Sequence, residues 1–225
     1  MTLPRTARRA IALAMLPIAA LMMPATGRAQ SPPPPFEGDI SVMQARMGAG
    51  TLTSEALVRA YLERIAAIDD AGPMLNAVIA TFPDAIEQAR ALDAERAAGR
   101  MRGPLHGIPV LIKDNIEAAG PLPTTAGSLA LADNVTGRDA PLVARLRAAG
   151  AVILGKTNLS EWANIRSSES TSGWSAVGGL TRNPHDLSRS ACGSSSGSGA
   201  AMAAALAAAT IGTETDGSIV CPAGI

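Results

Sequence analysis

The chain has 225 residues, of which 47% are hydrophobic, and its 19 basic and 19 acidic side chains give a formal net charge of zero. That length supports one sizeable domain with a buried core. Balanced charge and an aromatic content of 2% leave neither a basic surface nor a stacking platform, so no nucleic-acid partner is expected.

In chain order, Arg5, Arg8 and Arg9 form a positive region ahead of an apolar run over residues 10–23, and Gly27-Arg28-Ala29 offers a small-x-small cleavage site. This is the pattern of a signal peptide over residues 1–29. The run is shorter than the roughly 20 residues that a spanning helix needs, and Pro17 interrupts it. Export from a bacterial cytoplasm, to the periplasm or beyond, is the reading, with no stable membrane insertion after cleavage. An uncleaved anchor is the alternative. Ser31-Pro32-Pro33-Pro34-Pro35 marks residues 30–38 as a stiff spacer, which leaves 39–225 for the folded domain.

A short helix is predicted over residues 41–47, closed by Gly48 and Gly50. Thr53 or Ser54 can cap the next helix, which keeps Leu57, Val58, Tyr61, Leu62, Ile65 and Ile68 on one face. After a turn at 69–73, residues 77–80 read as a buried strand. Pro83 starts a helix reaching about Ala98, with Glu87, Arg90, Asp93, Glu95 and Arg96 as a solvated face. Residues 108–112 and 151–154 are further apolar strands, and 141–149 is a helix. From 166 to 191 the composition turns polar, a long loop of the functional or mobile kind. A nearly all-alanine helix over about 199–209 can pack very close to neighbouring backbone. The alternation predicts an α/β fold with a mixed β-sheet core covered by helices on both faces.

Two segments point to serine chemistry. Cys192-Gly193-Ser194-Ser195-Ser196-Gly197-Ser198-Gly199 can place hydroxyls and N–H groups at a helix N-terminus, which favours negative charge. Glu214-Thr215-Asp216-Gly217-Ser218 sets a lone serine behind a glycine that lets backbone approach a reacting group. Such a serine needs a base. Of the 19 basic residues only Lys113 and Lys156 are lysines, and Lys113 ends an apolar strand. Burial there lowers an amine's pKa, whereas an arginine stays protonated. Neutrality near pH 7 requires a drop of about three units, costing about 4 kcal/mol. A neutral amine in a dry, hydroxyl-lined pocket is a competent general base. Two bland readings of Lys113 stand beside this one, pairing with Asp114 or snorkelling to the surface. On local physics Lys156 is an equal rival.

Several other features compete for a role. Cys192 and Cys221 flank the serine segments, either as a disulfide in an oxidising compartment or as two small buried residues. His106 and His185 read as loop hydrogen-bonders, and two histidines and two cysteines lack the spacing of a zinc motif. Gly193-Ser194-Ser195-Ser196-Gly197 matches the nucleophile elbow of α/β-hydrolases, but no strand precedes it and no histidine follows His185. Gly150 to Thr157 fits the phosphate-loop pattern letter for letter, yet the interval between its glycines is Ala-Val-Ile-Leu, a strand in its own right.

Gly107-Ile108-Pro109-Val110-Leu111-Ile112-Lys113-Asp114, the serine-rich run and Gly212-Thr213-Glu214-Thr215-Asp216-Gly217-Ser218 together resemble the signature of the amidase signature family, from about Ser41 to the last residue. Most members have Asp and Gly where this chain has Glu214 and Asp216, a variant similar to the bacterial peptide amidases, which hydrolyse C-terminal amides. The resemblance implies the amidase signature fold with its C-terminal half absent, and a peptide or small-molecule amide as substrate. It implies Ser218 as nucleophile, Ser194 as a bridging serine preceded by a cis peptide bond, and Lys113 as base. The N–H groups of Thr215, Asp216, Gly217 and Ser218 would form the oxyanion hole. No cofactor is called for. A carboxylate at Asp216 is unfavourable beside an anionic intermediate unless it points away. A truncated, non-catalytic amidase-like chain is the alternative.

Overall fold

The computed structural model describes residues 38–225. The signal peptide expected over 1–29 and the spacer over 30–38 lie outside them, save for Gly38. Two capped helices open the described chain. Asp39 accepts the Val42 N–H at the start of α1 (Ile40–Gly48), and Thr53 accepts the Ala56 N–H at the start of α2 (Ser54–Ile68). Of the apolar stripe on α2, Leu57, Val58, Tyr61 and Ile65 are buried. Ser54 and Glu55 donate their backbone N–H groups to the Asp93 carboxylate at 2.8 and 3.0 Å. Asp93 lies on α3 (Ala85–Ala97), so it is a tertiary cap rather than part of a solvated face. Arg96 also turns inward, donating to the His106 carbonyl at 2.9 Å.

The central sheet has the order β1-β3-β2-β6. Strand β1 is Val78–Thr81, β2 is Pro109–Lys113, β3 is Val152–Thr157 and β6 is Ala209–Ile211. β2 runs parallel to both β3 and β6, and β1 is antiparallel to β3, so the sheet is mixed. Every residue of β2 and β3 is buried. Side chains alternate between faces along a strand, so full burial requires cover on both faces. The helices α2, α3, α5 (Ser196–Ala203) and α4 (Pro141–Ala148) pack on these strands. β1 was expected to be a buried strand, but all four of its residues are half-buried. It closes one edge of the sheet, and an edge strand keeps one side open.

The alanine-rich segment departs most from expectation. The helix ends at Ala203, and Ala209–Ile211 leaves it to pair with Val110, Leu111 and Ile112 of β2. Alanine favours helix by intrinsic propensity, and over Ala209–Ile211 the ladder to β2 overrides that preference. Within the loop predicted over 166–191, a two-residue pair, β4 (Trp174–Ser175) with β5 (Gly179–Leu180), is the only ladder between named strands among the described residues. A last turn, α6 (Val220–Ala223), follows Ser218. Among the described residues, no helix is long and apolar enough to cross a membrane.

Gly197 fixes how closely α5 approaches the sheet. Its N–H donates to the Asn158 carbonyl at 3.0 Å. A Cβ there would overlap the Ala77 carbonyl oxygen and the backbone N and O of Asn158, all within 2.6 Å. Rigid backbone cannot yield as a side chain would. Gly197→Ala is therefore expected to destabilise by about 3 kcal/mol or more, lowering Tm by roughly 6–12 °C in a thermal melt. Gly48→Ala, with nothing within 4 Å of the added Cβ, should leave Tm unchanged or slightly raised.

Candidate active site

The site lies where β2 and β6 end side by side. Lys113 is the last residue of β2 and is fully buried. Its Nζ donates to Ser194 Oγ at 2.8 Å and to the Thr213 carbonyl, just past β6, at 3.2 Å. Ser194 Oγ in turn donates to Ser218 Oγ at 2.9 Å. The three residues that the sequence singled out thus form one unbroken chain of polar contacts. Ser194 is itself buried, and its preceding peptide bond, Gly193–Ser194, is cis.

The structure separates the two lysines. Lys156 Nζ lies 3.4 Å from Asp114 Oδ1 and donates to the Ile116 carbonyl at 2.6 Å and to Thr124 Oγ1 at 3.0 Å. The other Asp114 oxygen accepts the Thr125 hydroxyl and the Thr125 N–H. Asp114, next in sequence to Lys113, is therefore turned to Lys156. Among the described residues Lys113 has no carboxylate partner, and burial pushes its pKa down to about 8. Burial lowers the pKa of Lys156 too, but there the Asp114 charge opposes the shift. Lys156 is the lysine paired with a carboxylate; Lys113 is the buried amine that donates to Ser194.

The serine run divides its labour. Ser195 Oγ donates to the Thr213 carbonyl at 3.1 Å and accepts the Thr213 N–H at 3.2 Å. Ser196 Oγ donates to the Cys192 carbonyl at 2.7 Å, and Ser198 Oγ to the Ile211 carbonyl at 3.0 Å. The Ser195 and Ser198 hydroxyls stitch the start of α5 to the end of β6, and that of Ser196 closes onto the segment before the helix. Ser195, the central serine of the elbow pattern, is buried in this stitching, and residues 191–195 form no strand. The phosphate-loop pattern lies largely within fully buried β3. His106 is engaged at both ring nitrogens, Nε2 with the Leu92 carbonyl at 2.9 Å and Nδ1 accepting the Arg102 N–H at 3.2 Å.

The Ser218 loop is held from several directions. Its carbonyl accepts the Ser195 N–H at 3.0 Å. Cys192 and Cys221 form a disulfide that joins the two serine segments. Of the four N–H groups expected to line an oxyanion hole, that of Gly217 is instead donated to the Glu214 carboxylate at 3.1 Å. Those of Thr215, Asp216 and Ser218 donate to no group among the described residues. Asp216 is exposed. Beside Asn115 and Thr213, a cavity of about 690 Å³ is lined largely by apolar side chains, including Leu142, Leu159 and Trp162. Three features had no signal in the sequence: the Asp114–Lys156 pair, the Thr213 carbonyl as a partner of Lys113, and the task of Glu214.

A hydroxyl backed by a second hydroxyl and a desolvated amine suits nucleophilic attack without a histidine. Comparison with known proteins agrees on the class. The protein-family model described as Amidase matches residues 56–225, and the chain belongs to that family. The solved structure of the peptide amidase from Stenotrophomonas maltophilia is similar at 64% identity and a TM-score of 0.81, over 83% of this chain and 38% of that one. An Arabidopsis thaliana protein named as a probable amidase is 49% identical over 83% of this chain and 36% of its own length. A glutamyl-tRNA(Gln) amidotransferase subunit from Acidothermus cellulolyticus is 45% identical over 81% of this chain and 35% of its own. The chain thus spans about a third of the length of the curated relatives it matches.

A buried ammonium without a counter-ion is a stability cost. Depressing the Lys113 pKa from 10.5 to about 8 corresponds to about 3 kcal/mol, at about 1.4 kcal/mol per unit. The cost is fully present below pH 8, where both folded and unfolded chains are protonated, and fades as pH rises from 8 to 10.5. Lys113→Met is expected to raise unfolding free energy at pH 7 by about 1–3 kcal/mol, less than the full cost because two hydrogen bonds go with the amine. Denaturant titration at pH 7 and pH 10 checks this, with the gain smaller at pH 10.

Proposed function

We propose that the protein is an exported bacterial amidase. In this reading it hydrolyses a carboxamide to carboxylate and ammonia through an acyl-enzyme on Ser218. The observation that carries the reading is the Lys113–Ser194–Ser218 chain of contacts at 2.8 and 2.9 Å. Neutral Lys113 accepts the Ser194 proton while Ser194 accepts that of Ser218. The heavy-atom chain is the same for either direction of proton transfer. Ser218 Oγ then attacks the amide carbonyl carbon. As the C–N bond breaks, the leaving nitrogen takes the proton from Lys113 through Ser194 and departs as ammonia. Water repeats the path, adding to the acyl carbon, and the acid leaves with Ser218 restored.

The N–H groups of Thr215, Asp216 and Ser218 are placed in the role of oxyanion donors, acting on charge that develops only in the transition state. α5 begins just after Ser194, and the positive end of a helix favours an alkoxide there. Peptide C-terminal amides are the favoured substrate, supported by the 64% identity to a peptide amidase and by Glu214 and Asp216. The cavity beside Thr213 would seat an apolar part of that substrate. The signal-like N-terminus supports a periplasmic or secreted location, which disfavours a tRNA-linked substrate.

Reaction with a serine-directed fluorophosphonate, followed by peptide mapping, tests the scheme. Labelling is expected at Ser218 and should vanish in Ser218→Ala. Its rate should rise with pH to a plateau, with a midpoint near 8, because the base acts only when unprotonated. Replacing both histidines should leave that pH profile in place. Labelling elsewhere, or normal reactivity in Lys113→Ala, would falsify the assignment.

A further inference from the structure

Glu214 begins the loop that carries Ser218, and its carboxylate folds back over that loop. One oxygen accepts the Gly217 N–H at 3.1 Å; the other accepts those of Ile219 at 2.5 Å and Val220 at 2.8 Å. These amides flank Ser218, one on its N-terminal side and two on its C-terminal side. The bonds from Val220, Ile219 and Gly217 hold the carboxyl below the ordinary glutamate range although the side chain is exposed. On its other side the loop is tied by the Ser195 N–H, which donates to the Ser218 carbonyl at 3.0 Å. Gripped in this way, the backbone leaves the N–H groups of Thr215, Asp216 and Ser218 without partners among the described residues.

We propose that Glu214 is a positioning residue, whose carboxylate engages the Gly217, Ile219 and Val220 amides and so fixes Ser218 and the neighbouring undonated N–H groups in reactive geometry. The inference rests on the reading of Ser218 as nucleophile. A carboxylate suits the task because it has two acceptor oxygens and no donor. Glutamine in its place would turn an NH₂ toward at least one backbone N–H, setting donor against donor.

Fluorophosphonate labelling of the full chain and amide hydrogen exchange test this together. In the wild type, the Gly217, Ile219 and Val220 amides should exchange at least about tenfold more slowly than those of Thr215 and Asp216. Glu214→Gln should lower the maximal labelling rate of the folded fraction by about 10- to 100-fold, with the half-saturating reagent concentration within about threefold of wild type. Equal exchange rates across the loop, or an unchanged maximal rate in Glu214→Gln, overturn the role of Glu214 while leaving Ser218 as nucleophile. Absence of any labelling of the wild type at Ser218 overturns the nucleophile and this proposal with it. The exchange measurement needs no variant, so the proposal stays open to refutation if Glu214→Gln does not fold.

Discussion

The constraint on which this structure depends is a buried amine without an acid. Lys113 is fully enclosed, and among the described residues its amine donates only to a serine hydroxyl and a backbone carbonyl. Had the adjacent Asp114 been free to pair with it, Coulomb attraction would have opposed the loss of proton affinity that burial causes. Asp114 is instead fixed by Lys156 and Thr125. Two lysines and one buried carboxylate are so arranged that for Lys156 the Asp114 charge opposes the lowering by burial, and for Lys113 burial acts unopposed. Stability is given up at the site proposed to be reactive.

The sheet delivers the groups that complete this arrangement. β2 and β6 are parallel neighbours, with Ile112 opposite Ile211, so Lys113 and the Thr213 carbonyl come together at one sheet end. Sites at the carboxyl ends of parallel strands are the general expectation for open α/β sheets. The serine run then serves two purposes. Ser195 and Ser198 bind α5 to the end of β6 through the Thr213 and Ile211 carbonyls, and Ser196 ties the start of the helix to the Cys192 carbonyl, which together set the position of Ser194. The disulfide and the Ser195–Ser218 backbone bond hold the second serine against the first.

Much of this was legible in the sequence, for identifiable reasons. β2 and β3 read as continuous apolar runs because strands covered on both faces carry no polar alternation. The face of α2 was visible from its 3.6-residue period. Lys113 stood out because the basic side chains are otherwise arginine except for Lys156. What failed to show was what depends on partners distant in sequence. Asp93 looked like surface charge and is a tertiary cap for α2. The last strand hid inside an alanine run whose letters favour helix. Lys156 and Lys113 were equivalent by local pattern and differ only in which of them Asp114 faces. The pairing of Cys192 with Cys221 required knowing that the two serine segments lie side by side.

Burial shifts the Lys113 amine from the ordinary lysine range toward neutrality. The shift is open to direct measurement because the chain has two lysines, and Lys113→Met identifies the signals of each. The test is an NMR titration of the protein labelled with ¹³C at lysine Cε. The Lys113 resonance is expected to titrate with a midpoint near 8. A midpoint near 10.5, the ordinary lysine value, would contradict the shift.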